Sequence, residues 1–295
     1  MKIQFLNGGL ANQVFQYIFA RYYELSHPGE IMYLDDSYFA LNTVHNGYEL
    51  EKVFGLRPHM LSECFDEEVW IYMLEERKKG KSIPQILCDN EIPFCMISEM
   101  GDAYRSFNPF SGKVVSIQSN EFLPQILDYP DNIYYHGYWI NKKWFESYRE
   151  VFLQELVFPQ IADSKNWGIM NQIHTTKSVA IHIRRGDYVS LGWIINAHAY
   201  KDMVMAYLTT AGKGWTVFVF SDDIAWCKEN EAEMGLNLFD DIVYVEGNDS
   251  GRNYIDMQLM SQCKGVIMSG SAFCYLAVLL NAQRQIVINP TQREV

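Results

Sequence analysis

Arg184 and Arg185 stand side by side in the run His182-Ile183-Arg184-Arg185-Gly186-Asp187-Tyr188. Each guanidinium can donate in a fork to phosphate oxygens, so the pair suits a diphosphate. A hydrogen bond to a charged group contributes ~1.5–3 kcal/mol, and a few of them would hold a nucleotide diphosphate. Side chains alternate along an extended chain, so one arginine faces a cleft and the other packs or pairs elsewhere. The plainer account is an exposed turn closed by an Arg–Asp ion pair. His182 is by default a hydrogen-bonded core histidine.

Three further polar clusters follow apolar runs: Asn12-Gln13 after Asn7-Gly8-Gly9, then Ser221-Asp222-Asp223, then Ser269-Gly270-Ser271. Glycines let a backbone approach a ligand closely, and a helix that begins there offers free N–H groups to an anion. Asn12 and Gln13 add side-chain donors. Asp222 could reach purine N–H groups or ribose hydroxyls, although Ser221 or Asp222 would equally serve as a helix N-cap. Ser269 and Ser271 are as suited to phosphate as to capping. The GxGxxG spacing of a dinucleotide fold is absent. Paired aspartates raise a divalent metal, but no third ligand stands at a useful spacing.

These clusters need a frame that gathers them. Residues 2–6 read as a strand, and Leu10, Val14, Tyr17, Ile18, Tyr22 and Leu25 recur with helical periodicity. Pro28-Gly29 ends that helix and Ile31–Leu34 reads as the next strand. Residues 40–130, with a helix over Glu67–Lys79 and several prolines, read as an excursion within the first domain. Tyr134-Tyr135 marks another strand. In the second half, Val179–Ile183, Thr216–Phe220, Ile242–Val245, Val266–Met268 and Ile286–Ile288 read as strands. Helical stretches over 197–210, 223–234, 253–263 and 271–281 separate them. That alternation predicts a parallel sheet covered by helices, with ligands outside the carboxyl ends of the strands. A chain of 295 residues suits two domains, and the Val157–Trp167 segment with Pro159 divides them into 1–156 and 157–295.

The formal net charge is −12, which argues against nucleic acid as a partner and leaves only a local basic pocket for an anionic ligand. Six scattered cysteines show neither paired nor zinc-type spacing and read as free thiols. No signal-peptide pattern and no membrane-length apolar run is found, so the chain reads as cytoplasmic.

Several segments together resemble the α-1,2-fucosyltransferase family. Gly8-Gly9-Leu10-Ala11-Asn12-Gln13-Val14-Phe15-Gln16-Tyr17 is similar to its N-terminal motif, and Tyr135 to Phe145 (YHGYWINKKWF) to its central aromatic motif. The run from His182 to Tyr188 resembles the H-x-R-R-G-D-Y signature. Phe220 to Lys228 and Asp256 to Lys264 are similar to two more. The resemblance implies an α/β fold of GT-B type: two facing Rossmann-like domains with a cleft between them. It implies a GDP-fucose donor held by the C-terminal domain, a β-galactoside glycan acceptor on the N-terminal side, and no metal or other cofactor. Fucose would pass with inversion to the 2-hydroxyl of a terminal galactose. By matching position, Arg184 would contact the donor phosphates, His182 would lie by the nucleotide, Asp222 would meet base or ribose, and Asn12 would reach the phosphate from the opposite domain. Arg185, Ser221, Ser269, Ser271 and Phe273 complete the expected donor site. Asp187 is the candidate general base, against the plainer reading of an arginine-pairing carboxylate. One departure stands out: from Gly270 to Leu280, Ser271 and Phe273 survive while both family tryptophans and a later serine are replaced. Members usually continue past the position of Val295. Two rival readings are a GDP-fucose transferase with another acceptor or linkage, and a sugar-nucleotide-binding protein without turnover.

Overall fold

The computed structural model describes residues 1–43, 46–100, 110–249, 251–283 and 285–290. The chain divides into two compact units, Met1–Val157 and Phe158–Val295, each built on one five-stranded parallel sheet.

In the first unit, β1 (Lys2–Phe5) is followed by the helix Leu10–Ser26 and then by β2 (Met32–Asp35). The helix buries Leu10, Val14, Tyr17 and Ile18 along one stripe, as the periodicity requires. Strands β3 (Cys95–Ser98), β4 (Val114–Ser116) and β5 (Ile133–His136) complete the sheet in the order β2-β1-β5-β3-β4. The stretch read as an excursion thus supplies two strands of the sheet, with helices at Glu67–Lys78 and Ile83–Asp89 beside them. Met96 and Ile97 are fully buried there, which ties the segment into the core.

The central aromatic motif packs this unit rather than lining its surface. Trp139 and Trp144 are fully buried, and Phe19 of the first helix stacks on Trp139 at 4.0 Å while meeting Trp144 edge-on. The turn that carries Trp139 is held by the buried Glu99, whose Oε2 accepts the N–H groups of Tyr138 and Trp139, each at 2.8 Å. A Cβ on Gly137 would stand 2.7 Å from that oxygen, so only glycine fits.

In the second unit, β6 (Ser178–Ile183), β7 (Thr216–Ser221), β8 (Asp241–Tyr244), β9 (Gly265–Ile267) and β10 (Ile286–Ile288) run in the order β10-β9-β6-β7-β8. Central strand β6 is buried along its whole length, which is why SVAIHI reads as a nearly unbroken apolar run. Chain order reverses on either side of β6: β7 and β8 extend to one side, β9 and β10 to the other. The seam between β6 and β9 is therefore the topological switch point, where parallel α/β sheets place their ligands. All six cysteines are unpaired. Among the described residues no helix is long and apolar enough to cross a membrane.

Candidate donor site

The carboxyl ends of β6, β7 and β9 bring the nine expected residues of the second unit into one neighbourhood. His182, the fifth residue of β6, is almost wholly buried, and its Nδ1 lies 2.6 Å from Ser269 Oγ just beyond β9. That contact bridges the switch point. Ser269 Oγ also accepts the Ser271 N–H at 3.2 Å, and Ser271 Oγ accepts the Phe273 N–H as N-cap of the helix Ala272–Leu279. The Phe273 ring leans against the His182 ring with centroids 5.8 Å apart. Burial, followed by the nearby Arg184 charge, holds the His182 imidazole down to about 3, so it is neutral at physiological pH.

The two arginines, both just beyond the end of β6, take different partners. Arg185 is the less exposed, at 17%: its guanidinium lies 3.9 Å over the Trp226 ring and its Nε donates to Asp223 at 3.1 Å. Arg184, 34% exposed, is held between Asp187 at 2.7 Å and Asp222 at 2.9 Å. Asp222 spends its other oxygen on the Arg185 backbone N–H at 2.8 Å. A Cβ on Gly186 would stand 2.5 Å from Asp222 Oδ2, so the glycine lets the two strand ends close on each other. The helix N-cap is Asp223, which accepts from the Trp226 N–H; neither Ser221 nor Asp222 takes that position, and Ser221 Oγ accepts the Asp223 N–H instead. Asp187 pairs with Arg184, as its plainer reading had it.

In the first unit, Gly8 adopts φ +81° and a Cβ there would meet Asn12 Nδ2 at 2.7 Å. Asn12 is partly exposed on the first helical turn. Gln13, read as a ligand donor, is fully buried and already committed. Its Nε2 donates to the carbonyls of Gly8 and Gly47, and its Oε1 accepts the Glu49 N–H, all at 2.9 Å. Gln16 ties the same loop by bonding both the side chain and backbone of Asn7. These two glutamines shape the loop rather than fill it.

One network escaped the sequence reading. Asn248, after β8, donates to Asp256 at 2.7 Å and bonds Asn166 reciprocally, while Asn166 reaches Asp163 and Asp163 pairs with Arg252. Burial pushes the Asp256 carboxyl up to about 7 against the opposing pull of that Asn248 bond and of Lys165. The altered segment 270–280 forms its helix, and the replaced positions Cys274, Tyr275 and Leu276 are buried. Among the described residues no three His, Cys, Asp or Glu side chains converge as a metal site.

Two Rossmann-like parallel-sheet units, the second with arginine, aspartate and serine at its strand ends, give the chain a fold of GT-B type. The crystal structure of the fucosyltransferase NodZ from Bradyrhizobium shares the fold: TM-score 0.52 at 13% identity, covering 95% of this chain and 92% of that one. The family model for glycosyl transferase family 11 matches residues 111–294, and the chain belongs to that family. An α-1,2-colitosyltransferase of Escherichia coli is 29% identical over 293 residues, covering 97% of this chain and 90% of the relative. A galactoside α-(1,2)-fucosyltransferase 1 of Bos taurus is 29% identical over 108 residues, 35% of this chain and 29% of its own.

Proposed function

We propose that this chain moves L-fucose from GDP-fucose, with inversion, to the 2-hydroxyl of a terminal galactose. The observation that carries the reading is the Arg184 guanidinium, presented at the carboxyl end of β6 beside the His182–Ser269 bridge. The α-1,2 linkage in the names of both relatives supports the choice of hydroxyl.

In the reaction, the acceptor oxygen attacks the anomeric carbon from the face opposite GDP. One C–O bond forms as the bond to the diphosphate breaks, and negative charge grows on the departing phosphate. Arg184 stabilises that charge, aided by the Ser271 hydroxyl; the proposal also gives Asn12 a role toward the phosphates. Asp222 and Asp187 hold the guanidinium in place, and His182, Ser221 and Phe273 shape the surroundings of the nucleotide. The acceptor proton passes to a carboxylate, for which Asp187 is the candidate. A loose transition state with oxocarbenium character asks little of that base. No metal takes part in this scheme. The proposal includes cytoplasmic residence, which six unpaired cysteines support.

The test is GDP release from GDP-fucose with EDTA present, against lactose, N-acetyllactosamine and galactose-β-1,3-N-acetylhexosamine disaccharides, followed by linkage analysis of the product. Acceptor-dependent release with a 2-linked product sustains the proposal. GDP binding without release from any acceptor defeats it in favour of a binding protein. A second reading, favoured by the colitosyltransferase that matches nearly the whole chain, is that colitose is the transferred sugar. GDP-colitose run beside GDP-fucose decides between them by the ratio of kcat/KM.

A further inference from the structure

The helix Gly186–Leu191, which follows Arg185 directly, buries none of its residues. Val189 and Leu191 are each 50% exposed, Trp193 is 64% exposed and Ile194 is 41% exposed. Four large apolar side chains within six residues form a patch that water penalises, and such patches mark binding surfaces. Trp193 is nonetheless held in place. Gly192 ends the helix in the left-handed conformation at φ +69°, and the Trp193 N–H returns to the Tyr188 carbonyl at 3.0 Å. That closure sets the indole edge-on to the Tyr188 ring, with centroids 5.6 Å apart and planes at 85°. Tyr188 in turn lies 5.5 Å beneath the Arg184 guanidinium. A continuous path of ring contacts thus leads from the phosphate-binding arginine to an exposed indole.

We propose that Trp193 is the platform on which a saccharide ring of the acceptor glycan stacks, an inference that rests on the transferase reading above. A pyranose has an apolar C–H face and a polar hydroxyl edge. The indole offers a flat apolar partner to the first, and the exposed Asp187 carboxylate, on the short helix that Trp193 follows, offers an acceptor to the second. Other occupants fit poorly. The net charge of −12 repels an anionic lipid surface. A stable pairing of two copies needs roughly 20 residues from each side, whereas this patch is six residues long. A neutral polyhydroxylated ligand lying a ring or two from the donor phosphates matches both the size and the chemistry.

The experiment compares Trp193→Ala and Trp193→Phe with the natural chain. Trp193→Ala should raise the acceptor KM about tenfold while the Kd for GDP, read by calorimetry, stays within about twofold; Trp193→Phe should restore most of the loss. An acceptor KM within about twofold of the natural value in Trp193→Ala overturns the inference. A dimer that becomes monomer in that variant with acceptor KM unchanged also overturns it, assigning the patch to self-association. Saturation-transfer NMR with methyl β-galactoside and GDP keeps this outcome apart from failure of the transferase reading. Contact present in the natural chain and lost in Trp193→Ala sustains the platform even without turnover. Equal contact in both overturns the platform alone, and contact in neither, together with no transfer, overturns both readings.

Discussion

His182 and Ser269 join β6 to β9 through a 2.6 Å contact laid across the switch point of the second sheet. The contact packs the imidazole, which burial and the Arg184 charge keep neutral, and it anchors the first residue of the Ser269-Gly270-Ser271 turn. In the proposed reaction, phosphate chemistry beside it is given to Arg184, which is more exposed than His182.

Replacing Arg184 by Ala should weaken GDP by about 1.5–3 kcal/mol, roughly ten- to more than a hundredfold in Kd. Calorimetric titration of GDP into the variant checks this, with a melting curve to show that the fold survives. Unchanged affinity sinks the assignment of Arg184 to the phosphates.

Gly186→Ala places a methyl group 2.5 Å from Asp222 Oδ2. The carboxylate must yield, loosening its grip on Arg184 and on the Arg185 N–H. Because the glycine lies at the site's rim, Tm should change little while kcat/KM for the donor falls about tenfold. Steady-state kinetics with GDP-fucose reads the effect.

Gln13→Leu removes the partner of two buried backbone groups, at Gly8 and Glu49, and of a part-buried one at Gly47. Each buried unsatisfied group costs about 1–3 kcal/mol, so the variant should lose about 2 kcal/mol or more in urea unfolding. A loss under 1 kcal/mol would show that water replaces the amide.

Acid should destabilise the protein through two buried histidines. Burial holds His182 down to about 3 and His136 to about 4, the Arg184 and Arg77 charges adding to the two respectively. Both bind protons readily once unfolded, near pH 6.5. The stability they contribute is present above that value and is lost as pH falls toward 4 and 3, at about 1.4 kcal/mol per pH unit for each. His182→Gln should flatten the wild-type slope by one such increment between pH 6 and 4.5 in denaturant titrations. Asp256 acts in the opposite sense: its folded-state value near 7 lies above the unfolded one, so its contribution is lost as pH rises from about 4 to 7.

Much of this architecture was legible beforehand because parallel strands buried on both faces are continuous apolar runs. Val179–Ile183 and Thr216–Phe220 fall within β6 and β7 for that reason. Strands β3 and β4 hid because both end in serine and β4 is nowhere buried. The insertion of β5 between β1 and β3 depends on non-local pairing that no local pattern records. At the site, the different partners of Arg184 and Arg185 depend on carboxylates from β7's end and from the next helix, which no local pattern records. The commitment of Gln13 did have a signal. It lies on the same helical face as Leu10, Val14 and Tyr17, and an amide on a core-facing stripe must find internal partners. Asp256 also stood on a helix with an apolar face, but its partner Asn248 lies in the loop before that helix and is itself held by Asn166 from a distant segment.

The ion pairs around Arg184 and Arg185 bear on how the proposed donor would arrive. Two guanidiniums face three carboxylates, those of Asp187, Asp222 and Asp223, so the cluster as a whole projects no positive field into solvent. Long-range attraction therefore does little to draw in an anionic nucleotide, and encounter is set by diffusion and local fit. Stray phosphate gains little there, since a guanidinium already satisfied by carboxylates is surrendered only to a ligand with further contacts to offer. Selectivity among anions is built into the resting charge balance of the site, and raising the ionic strength should slow donor association only slightly.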